Sequence, residues 1–327
     1  MRRLIESIAT VRQFDASRAC YGRGTMIKTE VREDLEQALD GIEESYQGPL
    51  EINNLQSAAL PNRRAVIEAF TRIASTIYLG FYSNKPLSSA NLREALSEQV
   101  YPAYQKLAEQ INRAVTYEAR YLAQSRPPGF SHQATMQIMR SLPMLRELLN
   151  EDAVAAFEND LAARSVEEVV FSYPTLAAIT AHRVAHLLYQ QCVPMIPRII
   201  AEHAHSQTGI DIHPGARIGK RFFIDHGTGV VIGETAEIGD DVRLYQGVTL
   251  GALSSQRSNP DDGPCPTKRH PTIESDVIIY SGATILGGET RIGAGSIIGG
   301  NVWLVRSVPP HSKIFGRARE EQAEKTS

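Results

Sequence analysis

The fold is decided by residues 211–250, which read DIHPGARIGKRFFIDHGTGVVIGETAEIGDDVRLYQGVTL. Aliphatic residues recur there every six positions, and a glycine or an acidic residue usually follows each one. The period continues to about residue 304, with a two-residue slip before its second series and a one-residue slip near its end. The residues that carry it are Ile212, Ile218 and Ile224, then Ile232, Ile238, Leu244 and Leu250, then Ile273, Ile279, Ile285, Ile292, Ile298 and Leu304.

A six-residue period predicts a parallel β-helix. Each hexapeptide forms one short face of a triangular prism, and three faces, roughly 18 residues, complete a coil. The aliphatic side chain points inward and stacks on its equivalents in neighbouring coils, while small residues permit the sharp bend between faces. A sandwich of short strands also alternates turns with aliphatic residues. The in-phase spacing over so many positions favours the β-helix.

The repeat is interrupted once, by residues 252–271, which read ALSSQRSNPDDGPCPTKRHP. This stretch contains four prolines and no aliphatic period, so we predict a loop over residues 252–269. Long loops within a regular solenoid are usually functional.

Upstream of residue 207 the pattern is helical, as in residues 29–46 and 93–124, where apolar residues are spaced by three and four positions. The sequence therefore predicts an α+β chain. An all-helical N-terminal domain covers residues 1–207, a β-helix domain covers residues 208–317, and residues 318–327 form a tail. The role of residues 1–150 is not indicated by any motif.

Composition excludes several classes of protein. The 327 residues are 42% hydrophobic and 22% charged, as in an ordinary globular protein, and the net charge of -3 argues against a nucleic-acid partner. We find no 18-residue apolar run and no secretory signal, so we expect no membrane partner and a cytoplasmic location. The three cysteines form no C-x-x-C pair, which gives no support to a thiolate metal site.

Several motifs together resemble the serine O-acetyltransferases, a family of hexapeptide-repeat acyltransferases. They are residues 211–239, TLGA (249–252), TKRHPTI (267–273) and SVPPH (307–311), and the similarity extends upstream through the helical segment 151–207. The resemblance implies a left-handed β-helix and a homotrimer or a dimer of trimers. It also implies transfer of an acetyl group from acetyl-CoA to the hydroxyl of L-serine, the first step of cysteine biosynthesis from serine.

The resemblance assigns the general base to His226, in the motif IDHGTG. A serine hydroxyl is almost wholly protonated at neutral pH, and a histidine with an ordinary pKa of ~6.5 is mostly neutral there and can accept its proton. Asp211, in DIHP, matches the carboxylate that orients this histidine in the family. The two residues lie 15 positions apart, near one coil, so they can meet on adjacent coils or across a subunit boundary.

The remaining site residues follow from the same resemblance. Arg269 suits the serine carboxylate, because a guanidinium binds carboxylates through two parallel hydrogen bonds. Asp160 and Asp225 match the acidic residues that hold the ammonium group, and His270 matches a second active-site histidine. Glu234, in the GET motif, is given a supporting role only. The expected acetyl-CoA contacts are the main chain of Gly251, Ser281, Gly282 and Ala283, and no metal is expected.

Three features depart from the family pattern. Leu161 follows Asp160 where the family has proline, which alters the loop that presents the carboxylate. The loop over residues 252–269 is longer and richer in proline. The chain ends in EKTS rather than in isoleucine, so we expect no stable complex with O-acetylserine sulfhydrylase. L-cysteine is implied as a feedback inhibitor at the serine site.

Three alternatives stay open. Another hexapeptide acyltransferase would share the fold and act on a different acceptor, without the carboxylate site at Arg269. A β-helical zinc hydratase needs three histidines at a subunit interface, and only His226 and His270 are evident. A non-catalytic trimeric scaffold is opposed by the intact His226 and Asp211 motifs.

Overall fold

The structure is a computed structural model that describes residues 29–55, 60–83, 85–121, 124–253 and 267–316. The chain divides into two compact units, Met1–Ser57 and Ala58–Ser327. In the first unit the described part is helix α1 (Thr29–Gln47) and a short turn, closed where the Asn53 side chain donates to the Gly48 carbonyl at 2.9 Å. The helix α1 confirms the helical pattern predicted for residues 29–46.

The second unit begins with a layer of helices. They are α2 (Arg63–Ile77), α3 (Leu79–Tyr82), α4 (Leu92–Tyr121), α5 (Phe130–Asn159), α6 (Val166–Ser172), α7 (Pro174–Gln190) and α8 (Ile196–Thr208). Local chemistry sets their starts: the Asn62 side chain caps α2 by accepting from Ala65 N at 3.1 Å, and Ser165 caps α6 in the same way. Helix α7 begins with proline, whose fixed φ suits the first helical position. Within the described ranges, no helix is both long enough and apolar enough to cross a bilayer.

A parallel β-helix of about five coils follows the helices. Its strands are β1 (Asp211–Ile212), β2 (Arg217–Ile218), β3 (Phe223–Asp225), β4 (Val231–Ile232), β5 (Glu237–Ile238), β6 (Arg243–Tyr245), β7 (Thr249–Gly251), β8 (Thr272–Ile273), β9 (Ile278–Ile279), β10 (Thr284–Leu286), β11 (Arg291–Ile292), β12 (Ile297–Ile298), β13 (Trp303–Leu304) and β14 (Lys313–Ile314). Sheet A has the order β1-β4-β7-β10-β13, sheet B β2-β5-β8-β11, and sheet C β3-β6-β9-β12-β14. We name each edge of the prism after the two sheets that it joins.

The register confirms the predicted stacking of aliphatic residues. In sheet C, Ile224 pairs with Leu244, Leu244 with Ile279, and Ile279 with Ile298, and all four are buried. Sheets A and B repeat the arrangement with the other predicted series. The β-helix prediction is therefore confirmed, and the sandwich of short strands is not what forms. Helix ends at Thr208 and strand begins at Asp211, beside the boundary predicted at residue 207.

A buried ion pair joins the helical layer to the first coil. Arg183 of α7 binds both carboxylate oxygens of Asp152 of α5, at 3.0 Å each, and also donates to the carbonyls of Ile218 and Gly219 at 2.6 Å. Asp152 in turn accepts from the Phe222 backbone N–H at 3.0 Å. Because both side chains have their hydrogen bonds satisfied, the pair fixes α5 and α7 against the coil that leads into β3.

Candidate active site

His226 lies on the C–A edge, at a corner that is two residues longer than its equivalents. Asp225 pairs with Tyr245, and the Gly247 backbone N–H bonds to the Thr228 carbonyl, so His226 and Gly227 have no counterpart in the next coil. Both adopt the left-handed backbone conformation, with φ values of 59° and 87°. The His226 side chain is 71% exposed as a result. The two-residue slip in the sequence thus corresponds to an insertion of two residues, and this insertion exposes His226 at the corner of the coil.

Two of the predicted acidic residues lie close to His226. Asp225 Oδ1 is 3.8 Å from His226 Nε2. Asp160 ends helix α5 and accepts from Tyr173 Oη at 2.5 Å and from the Ala162 backbone N–H at 2.8 Å. The hydrogen bond from Tyr173 is the main reason why the pKa of Asp160 is lowered, and His226 lies near enough to lower it further. Asp160, Asp225 and His226 therefore gather at one edge within a single chain.

Tyr173 was not anticipated from the sequence. It precedes α7 as its N-cap residue, and its hydrogen bond to Asp160 raises its own pKa to about 12. Leu161, which stands where the family has proline, is fully exposed. The carboxylate of Asp160 is thus held by Tyr173 and Ala162 rather than by a rigid proline.

Asp211 lies in β1, which pairs with β4, the strand that follows the His226 corner. Its backbone N–H bonds to the Val230 carbonyl at 2.9 Å, and its carboxylate is directed toward the last turn of α8. Among the described residues of this single chain, no hydrogen bond or ion pair joins Asp211 to His226. Their pairing stays a prediction.

Arg269 and His270 lie on the A–B edge, beside the corner that carries Glu234. The Nη2 atom of Arg269 donates to Glu234 Oε2, and Glu234 Oε1 accepts from Tyr189 Oη at 2.7 Å. Burial raises the pKa of Glu234, but the hydrogen bonds from Tyr189 and Arg269 outweigh it and lower the pKa, so Glu234 is a carboxylate at neutral pH. Tyr189, like Tyr173, carries no motif that marks it in the sequence.

The environment of His270 fixes its protonation. Its Nδ1 accepts from the Thr235 backbone N–H at 3.1 Å. The ring is buried against Gly233, and any side chain at that position would clash with it, because a Cβ atom on residue 233 would lie 2.0 Å from His270 Cδ2. Burial, followed by the charge of Arg269, lowers the pKa of His270 to about 4. The ring is therefore neutral at pH 7 and carries its proton on Nε2, where it is a hydrogen-bond donor.

The residues predicted to contact acetyl-CoA are divided between the two edges. Ser281 and Gly282 lie on the C–A edge, two strand spacings or roughly 10 Å beyond the His226 corner. Gly251 ends β7 and leads into the A–B edge. Ala283 is fully buried. Most of the loop predicted over residues 252–269, together with the EKTS terminus, lies outside the described residues.

One group of metal-ligating side chains occurs in the part of the chain that the structure describes. The ligand atoms of Glu202, His205 and Asp211 lie within 4.8 Å of one another. The group contains a single histidine, so it does not resemble the three-histidine centre that a β-helical zinc hydratase requires.

The five-coil parallel β-helix agrees with the hexapeptide-repeat fold that the sequence resemblance implies. No family model matches the chain. A plasmid-borne serine acetyltransferase of Synechococcus elongatus is 42% identical over 296 residues, which are 88% of this chain and 92% of that protein. The serine acetyltransferase of Mycobacterium tuberculosis is 49% identical over 165 residues, 50% of this chain and 68% of that protein.

Solved structures agree with these relatives. Serine acetyltransferase isoform 3 of Entamoeba histolytica, in complex with cysteine, matches with a TM-score of 0.65 and 35% identity, over 79% of this chain and 84% of that one. The Neisseria gonorrhoeae enzyme, in complex with serine, matches with a TM-score of 0.50 and 25% identity, over 76% of this chain and 95% of that one. The chain belongs to the serine acetyltransferase family and is an acyltransferase. The predicted family and function are confirmed, and the three alternatives are not favoured.

Proposed function

We propose that the protein transfers the acetyl group of acetyl-CoA to L-serine, with His226 as the general base and Asp211 as the carboxylate that orients it. The observation that carries the proposal is the inserted corner, which presents the His226 imidazole to solvent beside Asp225 and Asp160. An exposed imidazole next to two acidic side chains can receive a hydroxyl proton from a substrate whose ammonium group those carboxylates attract.

The serine molecule is held at both ends in this proposal. Asp160 and Asp225 bind its ammonium group, and Arg269 binds its carboxylate with His270 donating from Nε2. His226 and Arg269 lie on different edges of the prism, so one chain does not bring them together. We therefore propose that the site forms between the C–A edge of one copy and the A–B edge of the next, in a homotrimer or a dimer of trimers.

The chemistry is a direct transfer. His226 takes the proton from the serine hydroxyl as the oxygen attacks the thioester carbonyl carbon, which forms a new C–O bond. The tetrahedral intermediate then loses the sulfur, the C–S bond breaks, and the imidazolium returns its proton to the leaving thiolate. The products are O-acetyl-L-serine and CoA, without an acetyl-enzyme.

Gly251 and the main chain of Ser281, Gly282 and Ala283 are assigned to acetyl-CoA. L-cysteine, which shares the ammonium and carboxylate groups of serine, is assigned to the same site as a feedback inhibitor; similar structures contain cysteine or serine. We assign the protein to the cytoplasm.

The test is serine-dependent release of CoA, measured with a thiol reagent, for H226N and for H311N. His311 is a matched control, because it is exposed and shares the φ value of 59° while lying on the B–C edge. Asparagine tolerates this backbone conformation, so both variants should fold. We expect H226N to lose about 10²–10⁴-fold in kcat and H311N to keep wild-type activity. Full activity in H226N, or no serine-dependent release by the wild type, would contradict the proposal.

A further inference from the structure

The proposed carboxylate site is supported by a side chain from the helical layer. Tyr189 lies in the last turn of α7 and donates its hydroxyl to Glu234 Oε1 at 2.7 Å. The other oxygen of Glu234 binds Arg269. Tyr189, Glu234 and Arg269 thus form a chain of contacts that runs from a helix to the guanidinium assigned to the substrate.

The contacts around Glu234 give each of its oxygens a separate partner. Its side chain is 19% exposed, and the bond from Tyr189 occupies Oε1 while Arg269 occupies Oε2. His213 also approaches, at 4.0 Å from Oε1, and packs edge-on against the Tyr189 ring. Burial lowers the pKa of His213, so this ring is neutral at pH 7 and does not replace Arg269 as the counter-ion of Glu234.

Arg269 needs such an anchor because of its place in the chain. It is the last residue of the predicted loop, and its backbone is held by a bond from its N–H to Thr235 Oγ1 at 2.9 Å. That bond fixes the backbone but leaves the long side chain many rotamers. A glutamate whose own carboxylate is fixed by Tyr189 restricts the plane of the guanidinium, and that plane decides how a second carboxylate can dock.

The helix that carries Tyr189 is itself rigidly placed. The Arg183–Asp152 ion pair in the middle of α7 ties it to the first coil. The hydroxyl of Tyr189 therefore has a fixed position relative to the A–B edge, as a positioning group requires.

We propose that Tyr189 is a positioning residue, which acts through Glu234 to hold the Arg269 guanidinium in the orientation that receives the carboxylate of serine. This inference rests on the proposed function, because it takes Arg269 as the carboxylate site.

The test compares Y189F with the wild type on two acceptors, L-serine and L-serinamide, which keeps the hydroxyl and the ammonium group but lacks the carboxylate. Phenylalanine retains the ring that packs on His213 and removes only the hydroxyl. We expect the KM for L-serine to rise about fivefold, as for the loss of one hydrogen bond, with kcat within about twofold and no change for L-serinamide. The control is Y104F, which removes a similar tyrosine hydroxyl bond, to His132 at 2.7 Å, in the helical layer.

A double variant makes the test independent of how well L-serinamide reacts. R269K should raise the KM for L-serine by itself. Adding Y189F to it should raise the KM no further, because the relay from Tyr189 through Glu234 then has no guanidinium to orient. Equal KM rises for both acceptors, or additive effects with R269K, would overturn the relay. If R269K raises the KM and Y189F does not, the relay alone fails. If R269K leaves the KM unchanged, the carboxylate assignment fails and the relay with it.

Discussion

The C–A edge and the A–B edge each carry one of the two predicted histidines, and the two rings lie in opposite environments. His226 stands on an insertion in the coil with a side chain that is 71% exposed. His270 is 7% exposed, packed on Gly233 and bonded to Thr235. An exposed imidazole suits a base that must meet an incoming hydroxyl, whereas a buried neutral ring suits a fixed donor. The two edges thus supply different chemistry to one proposed site.

The largest effect is expected from removing the insertion that distinguishes the C–A edge. Deletion of His226 and Gly227 shortens the spacing from Ile224 to Ile232 to the six residues of the other coils, so the β-helix should still form. We expect kcat to fall by about 10²–10⁴-fold, the contribution of a general base, with a thermal midpoint close to that of the wild type. Activity within tenfold of the wild type in the folded deletion variant would show that His226 is not the general base.

Removing the buried ion pair between Arg183 and Asp152 should lower the stability of the fold. D152N leaves Arg183 buried beside a neutral partner, and we expect the free energy of unfolding to drop by about 3 kcal/mol. D241N is the matched control, because the ion pair of Asp241 with Arg221 has side chains that are 43% and 32% exposed, and losing such an exposed pair costs about 1 kcal/mol or less. Urea unfolding measures both, and equal losses would refute the role given to the buried pair.

A smaller effect is expected from the tyrosine at the C–A edge. Y173F removes the hydrogen bond that holds the pKa of Asp160 down, so this pKa should rise toward its ordinary value. A larger fraction of Asp160 is then protonated near pH 4, and the KM for L-serine should increase more steeply than in the wild type as the pH falls from 5 to 4. At pH 8 we expect a rise of about fivefold or less. A KM that responds to pH as it does in the wild type would contradict the account.

The smallest effect concerns His270. Because its pKa is lowered to about 4, this ring is already neutral above pH 5 and does not change charge between pH 5 and 8. H270N should therefore lower kcat/KM without moving the midpoint of the acid limb of the pH profile. A midpoint that shifts by half a pH unit or more would mean that His270 titrates in this range.

Sequence predicts the coils well because the six-residue period is itself the stacking rule: Ile224, Leu244 and Ile279 are neighbours in space because they are in phase. Even the position of His226 is marked, by the slip before Ile232. No pattern in the sequence indicates the hydrogen bonds made by the two tyrosines. Tyr173 reaches Asp160 across 13 residues and Tyr189 reaches Glu234 across 45, each between a helix and another element. Such contacts depend on how the helices pack against the coil, which no local period encodes.

The six-residue period does not identify the partner of His226, for a different reason. Spacing puts Asp211 near one coil away, but the direction of a side chain and the copy that supplies its neighbour depend on assembly. The two edges therefore form one site only where they meet between copies.

The most direct measurement is activity in the proposed trimers when they mix H226N protomers with R269K protomers, produced by co-expression in equal amounts. Each variant alone should be nearly inactive at low serine concentration. If one site takes its base from one copy and its carboxylate anchor from the next, about a quarter of the sites in random mixtures are intact, and about a quarter of wild-type activity should return. Mixed trimers that are no more active than the variants alone would contradict a site shared between the two edges.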